Sequence, residues 1–241
     1  MSVDEASPRG GPSWPPNPVV DRRPFERAGE LLAAAISSVL ANKEHARLAI
    51  PGGSALGAAS AAQLRLGNDW RRIRLTWVDE RCVPMADPKS NRGAAARLEV
   101  VRVGGIRAGE ASPSLVLPLY EDEETPVAAL DRVRRGWTRD FAGGLDVALL
   151  GMGSDGHVAS LFPGGSAPTE GWVAHVADSP KPPSDRITLT RAALATAGQL
   201  VLVAAGTSKR EALRRLLSGD PELPAYGLEG LTIVSDIELD R

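Results

Sequence analysis

The chain has 241 residues, 43% of them hydrophobic and 24% charged, with a formal net charge of −2; this fits one large α/β domain or two small ones. The charge offers no general attraction to nucleic acid or anionic membrane, and no apolar run approaches the roughly 20 residues that span a bilayer. The single cysteine, Cys82, excludes an internal disulfide framework and a multi-cysteine zinc site and suits a reducing cytoplasm.

The opening stretch MSVDEASPRGGPSWPPNP is rich in Pro, Gly and Ser and lacks the charged-then-apolar order of a signal peptide. It reads as a disordered leader over 1–20, ahead of a single domain over 21–241. Arg23 to Asn42 carries apolar residues at helical spacing, and Arg47 to Ile50 is a short apolar run that stops at Pro51-Gly52-Gly53-Ser54. An alanine-rich helix follows to about Leu66, then a β-rich run from Ile73 to Val78. Ser90 to Leu98 reads as a short helix and Ser114 to Leu119 as a strand. Thr125-Pro126 opens a helix that runs to about Phe141. Leu145 to Leu150, apolar but for Asp146, is a strand; Trp172 to Val176 and Arg186 to Thr190 are strands, and Arg191 to Thr196 a short helix. Leu200 to Ala205 is a buried strand, Ser208 to Leu217 a helix, and Leu231 to Ser235 the last strand.

Strand, loop and helix recur in that order, and the strands lack alternation. This predicts an α/β fold with a mostly parallel sheet covered on both faces. Ligands in such sheets sit beyond the carboxyl ends of the strands. The loops PGGS, DER, GMGSDGH and GTSK, all at strand ends, are therefore expected to converge.

Each loop has a plain reading and a functional one. In Pro51-Gly52-Gly53-Ser54 the glycines let backbone N–H groups point at an anion at a helix start; the plain alternative is a tight turn with Ser54 as N-cap. Gly206-Thr207-Ser208-Lys209 has the same setting, and Ser208 with Glu211 fits a capping box. Lys209, however, is a cation in a first turn, where the helix dipole disfavours it, which suggests a nearby anion. Asp79-Glu80-Arg81 is by itself a surface ion-pair cluster; beside two anion-cradling loops, Arg81 becomes a bidentate phosphate ligand, and Ser184-Asp185-Arg186 can bring Arg186 to the same place.

Gly151-Met152-Gly153-Ser154-Asp155-Gly156 matches the dinucleotide pattern G-x-G-x-x-G, but Pro163 and Gly164-Gly165 stop any helix within two turns, so the required βαβ unit is missing. The loop instead presents His157 beside Asp155. An imidazole with an ordinary pKa of about 6.5 is suited to moving a proton at neutral pH. His45 and His175 lack such a setting and read as structural. There is no G-x-S-x-G elbow and no paired-histidine metal spacing. What remains is a proton-shuttling histidine next to a phosphate pocket.

PGGS, WVDERCVP, SNRGAA, GMGSDGHVASLFPG, DSPKPPSDRITLT and GTSKREAL, in that order, resemble the 6-phosphogluconolactonases from about Phe25 to the C-terminus. The resemblance implies a Rossmann-like three-layer α/β/α sandwich like that of glucosamine-6-phosphate deaminase, ribose-5-phosphate isomerase and the CoA transferases. It implies hydrolysis of 6-phospho-D-glucono-1,5-lactone in the oxidative pentose phosphate pathway, with His157 as base and Asp155 tuning it. Arg81, Arg186 and Lys209, with Gly52, Gly53 and Ser54, would hold the phosphate; Asp79 and Gly153 would complete the pocket. No metal or organic cofactor is called for, nor any nucleic-acid or membrane partner, and the expected state is a monomer or weak homo-oligomer in the cytoplasm. One alternative is a glucosamine-6-phosphate deaminase-like enzyme, whose D-G-H loop typically continues with asparagine and glutamate where this chain has Ala159-Ser160-Leu161-Phe162-Pro163. The other is a non-catalytic sugar-phosphate-binding module, which would need the cations but not both Asp155 and His157.

Overall fold

The computed structural model describes residues 16, 18–101, 112–165 and 171–239. In chain order its elements are β1 (Val19–Val20), α1 (Pro24–Leu40), β2 (Ala46–Ile50), α2 (Leu56–Leu66), β3 (Ile73–Trp77), β4 (Asp79–Arg81), α3 (Asn91–Arg97), β5 (Leu115–Leu117) and α4 (Pro126–Asp140). There follow β6 (Val147–Gly151), β7 (Val173–Val176), β8 (Arg186–Leu189), α5 (Arg191–Leu194), β9 (Gln199–Ala204), α6 (Arg210–Leu217) and β10 (Leu231–Ser235). Pro24 occupies the start of α1, where its fixed φ suits a helix and its missing N–H leaves no bond unmade. Ala28, Leu32, Ala35, Ile36 and Leu40 form the buried stripe of α1. Gly29 lets α1 lie close to α2, since a side chain there would crowd Ala61. Ser90, Thr125 and Thr190 cap α3, α4 and α5, each accepting a bond from a first-turn N–H.

Seven strands form one sheet in the order β1-β10-β9-β6-β2-β3-β5, and every neighbouring pair is parallel. Helices flank it, giving the expected α/β sandwich. The central strands are apolar throughout because both faces are covered: Leu48, Ala49 and Ile50, Val147 to Leu150, and Leu200 to Ala204 are all buried. From β2 the chain proceeds outward to β3 and β5, then returns to the other side of β2 as β6, continuing to β9 and β10. The crevice between β2 and β6 is thus the switch point of the sheet, where open parallel sheets bind ligands.

Two features differ from the sequence reading. Asp79-Glu80-Arg81 is a strand in its own right, not the end of β3. The chain turns off the main sheet at Val78, and Asp79, Glu80 and Arg81 pair antiparallel with Thr188, Ile187 and Arg186 in a small second sheet, β4-β8-β7. Val19 and Val20, placed in the leader, pair with Val234 and Ser235 at the sheet edge; the leader's other residues, apart from Pro16 and Pro18, lie outside the described residues. Among the described residues no helix is long and apolar enough to cross a membrane.

Candidate active site

Strands β9, β6, β2 and β3 are consecutive in the sheet, so the segments leaving their carboxyl ends meet. A cavity of about 280 Å³ opens there, lined by Gly52, Gly53, Ser54, Asp79, Arg81, Gly153, His157, Lys181, Arg186 and Lys209 among others. Every expected cavity residue except Asp155 lines it, and Asp155 stands directly behind His157.

The PGGS loop is shaped by its glycines. Gly53 has φ of +64°, open to glycine at little cost, and a side chain at Gly52 would overlap the Asn91 amide. Ser54 does not cap α2: Ala55 holds that position and no side chain bonds the first turn. The capping box at Ser208 is also absent. Neither Gly206 nor Lys209 makes a side-chain cap bond, and Glu211 instead ion-pairs with Arg214 at 2.7 Å. Both loops thus leave their helix-start N–H groups without side-chain caps, as an anion site requires.

The cations differ in how committed they already are. Arg186 is 3% exposed; its Nε donates to Pro183 O at 3.1 Å, its Nη2 to Lys181 O at 2.7 Å and its Nη1 to Ser160 Oγ at 3.4 Å. Its counter-charge is Asp79, 3.6 Å from Nη1. Arg81 donates from Nη1 to Lys89 O at 2.6 Å, while its buried Nε has no partner among the described residues. The Lys209 ammonium has no hydrogen bond or ion pair among the described residues, and burial pushes it below the ordinary lysine value, with Lys181 adding to the effect. Arg81 and Lys209 therefore retain the most capacity for a ligand.

His157 sits at the loop's end with its ring 4.9 Å from that of Phe162. Its Nδ1 lies 2.5 Å from Asp155 Oδ1. A carboxylate can only accept, so Nδ1 carries the proton and Nε2 keeps a free lone pair. Burial lowers the imidazole below its ordinary value, against Asp155, which raises it, so desolvation favours the neutral ring. Burial raises the Asp155 carboxyl, but the Lys181 ammonium and His157 outweigh it and hold the group well below the usual carboxylate range. Lys181 Nζ is 2.9 Å from Asp155 Oδ2 and 3.1 Å from His157 Nδ1.

Behind the cavity a buried polar layer fixes β4. Asp79 accepts from Ser160 Oγ at 2.7 Å and from Asn91 Nδ2 at 3.2 Å, while Asn91 Nδ2 also donates to Asp79 O at 2.8 Å. Glu80 accepts from the N–H groups of Arg81, Asn91 and Arg92 at 2.6–2.7 Å and from Ser90 Oγ at 3.3 Å. Burial pushes its carboxyl up to about 7, opposed by those three backbone donors. Sequence reasoning missed Lys181, Ser160 and the role of Asn91. The SNRGAA and KPP motifs flagged two of the segments without saying what they touch. The other two histidines lie elsewhere: His175 Nε2 is 2.9 Å from Asp185 Oδ1, and His45 lies near Glu44. Among the described residues no cluster of acidic, histidine or cysteine side chains is arranged to hold a metal.

The sequence and the fold both have relatives among known proteins. The family model described as glucosamine-6-phosphate isomerases/6-phosphogluconolactonase matches residues 22–233. A 6-phosphogluconolactonase of Mycobacterium leprae is 34% identical over 223 residues, covering 85% of this chain and 86% of its own. One from Rhizobium meliloti is 35% identical over 209 residues, covering 83% and 86%. The crystal structure of a Thermotoga maritima 6-phosphogluconolactonase superposes with a TM-score of 0.73 at 26% identity, covering 90% of this chain and 96% of that one. With a matching fold and a matching sequence over most of its length, the chain belongs to the glucosamine-6-phosphate isomerase/6-phosphogluconolactonase family.

Proposed function

We propose that this protein hydrolyses 6-phospho-D-glucono-1,5-lactone to 6-phospho-D-gluconate. The observation that carries the reading is the pairing of a half-buried imidazole, oriented by a carboxylate at 2.5 Å, with Lys209, Arg81 and Arg186 around one cavity. The phosphate docks on Lys209, Arg81 and the N–H groups of Gly52, Gly53 and Ser54. Arg186, already bonded to three acceptors and charge-paired with Asp79, adds its two remaining N–H groups. Nε2 of His157 takes a proton from a water whose oxygen attacks C1. Backbone N–H groups of the glycine loops stabilise the oxyanion, and Asp155 stabilises the imidazolium through Nδ1–H. On collapse the C1–ring oxygen bond breaks and His157 returns its proton to that oxygen, opening the ring as a hydroxyl and a carboxylic acid. Asp79 and Gly153 complete the pocket, Asp79 facing the sugar hydroxyls and Gly153 seating the imidazole. The mechanism uses no metal or organic cofactor. We place the protein in a reducing cytoplasm as a monomer or weak homo-oligomer, on its single cysteine and near-neutral charge.

The test is turnover of freshly generated 6-phosphogluconolactone against its spontaneous hydrolysis. Clear acceleration is expected. No acceleration, with the lactone or its product still bound, would leave the sugar-phosphate-binding module; ammonia release from glucosamine 6-phosphate would favour the deaminase.

A further inference from the structure

The mechanism above leaves Lys181 without a task, although it is the only cation in contact with both Asp155 and His157 among the described residues. Its backbone is anchored: the carbonyl accepts from Arg186 Nη2 at 2.7 Å and from Ser179 Oγ at 2.9 Å, and its N–H donates to Ser179 Oγ at 3.3 Å. Its side chain is 39% exposed, long and rotatable. The ammonium ion-pairs with Asp155 Oδ2 at 2.9 Å and stands 3.1 Å from the imidazole Nδ1, which carries its own proton and so cannot accept from it. Both Lys181 and Asp155 are also felt by Lys209. Lys181 thus lines the same cavity as Lys209, within its electrostatic reach, while ion-paired to Asp155.

We propose that Lys181 is a positioning residue that sets specificity: it shares Asp155 with His157 between turnovers and is drawn onto the substrate's phosphate, leaving Asp155 to His157 alone. This rests on the phosphate pocket proposed above. A dianion beside Lys209 attracts the Lys181 ammonium more strongly than one carboxylate does. Once the ammonium swings away, the cation next to Nδ1 is gone and the full charge of Asp155 supports the imidazolium formed in the reaction. The charged groups facing the ring are Asp155, Lys181 and Asp79, with Arg81, Arg186 and Lys209 across the cavity; of these Lys181 is the one both close to the ring and free to move. Phosphate thus strengthens the base as well as holding the substrate, and an unphosphorylated lactone meets a weaker base.

The probe is inorganic phosphate, with its saturable binding followed by phosphorus NMR and the His157 imidazole by proton NMR, using His157→Gln to identify its signal. In the unaltered protein phosphate should raise the His157 titration midpoint by about one unit, the size of effect a nearby charge produces. In Lys181→Met the midpoint should start higher and rise much less. Kinetically, Lys181→Met should lose turnover of the phosphorylated lactone while gaining severalfold on unphosphorylated gluconolactone. A phosphate contact alone would leave the second substrate unchanged, and a structural lysine would depress both; either result overturns the proposal. Equal midpoint rises in both proteins also overturn it while sparing the pocket. Absence of saturable phosphate binding overturns the pocket and the proposal together.

Discussion

The His157 imidazole lies on the α-carbon of Gly153, so that a β-carbon there would overlap Nδ1 and Cε1 and stand 2.5 Å from Asp155 Oδ1. Gly153 is needed for close approach, and its own backbone secures the loop: its N–H donates to His157 O at 2.8 Å and its carbonyl accepts from Gly156 N–H at 3.0 Å. Gly153→Ala should therefore displace the ring while the sheet stands. A loss in kcat of about 10²-fold is expected, the usual cost of misplacing a reacting group by an ångström, with far-UV circular dichroism unchanged. Unaltered kcat in the alanine variant would show that the imidazole does not need this seat.

His157→Ala should keep the fold and lower the catalysed rate by roughly 10²–10⁴. The base works when neutral, and burial holds its pKa below the ordinary value of about 6.5. The acid limb of kcat/KM should accordingly have its midpoint below that value, and a midpoint above it would contradict the assignment. Stability follows the same sign. Below pH of about 6.5 the unfolded chain binds a proton that the folded imidazole resists, so folding stability declines as pH falls through this window. Melting temperatures of His157→Ala should show a flatter dependence there.

Lys209→Ala and Arg81→Ala test the phosphate pocket. Each removes a charge-assisted contact of about 1.5–3 kcal/mol, roughly ten- to hundredfold in kcat/KM for 6-phosphogluconolactone. Hydrolysis of unphosphorylated gluconolactone should change far less. Equal losses on both lactones would place the phosphate elsewhere.

Glu80→Ala probes the layer beneath the site. It strands three backbone N–H groups and the Ser90 hydroxyl that now share one carboxylate. At about 1–3 kcal/mol for each buried donor left unmet, the melting temperature should fall by roughly 10 °C or more. Activity should also fall, because Asn91, which bonds Asp79 and packs on Gly52, loses its anchor. A melting curve identical to that of the unaltered protein would mean water replaces the carboxylate at no cost.

What the sequence by itself determined is local. Unbroken apolar runs at Leu48 to Ile50, Val147 to Leu150 and Leu200 to Ala204 can only be strands buried on both faces, which implies a parallel sheet and places ligand chemistry at its carboxyl ends. Thr125-Pro126 marks a helix start by the conformations those residues prefer. His157, Asp155 and Lys209 stand out as candidates because each follows a strand in a glycine-containing loop, and Arg81 because it closes an acidic-basic run after a strand. Tertiary structure decided what depends on strand order. The convergence of four loops follows from β9, β6, β2 and β3 being consecutive, and no local pattern states that order. The break at Val78 that makes Asp79 to Arg81 a strand exists only because β8 offers a second edge. Arg186 reads as a free cation in sequence, yet Asp79, more than a hundred residues earlier, neutralises it. Lys181 appears in the sequence only as one residue of the DSPKPPSDRITLT motif, yet it stands on Asp155. Periodicity and turn chemistry act between neighbours in the chain, whereas Coulomb energy and desolvation depend on distance in space, which the sheet sets only once it has formed.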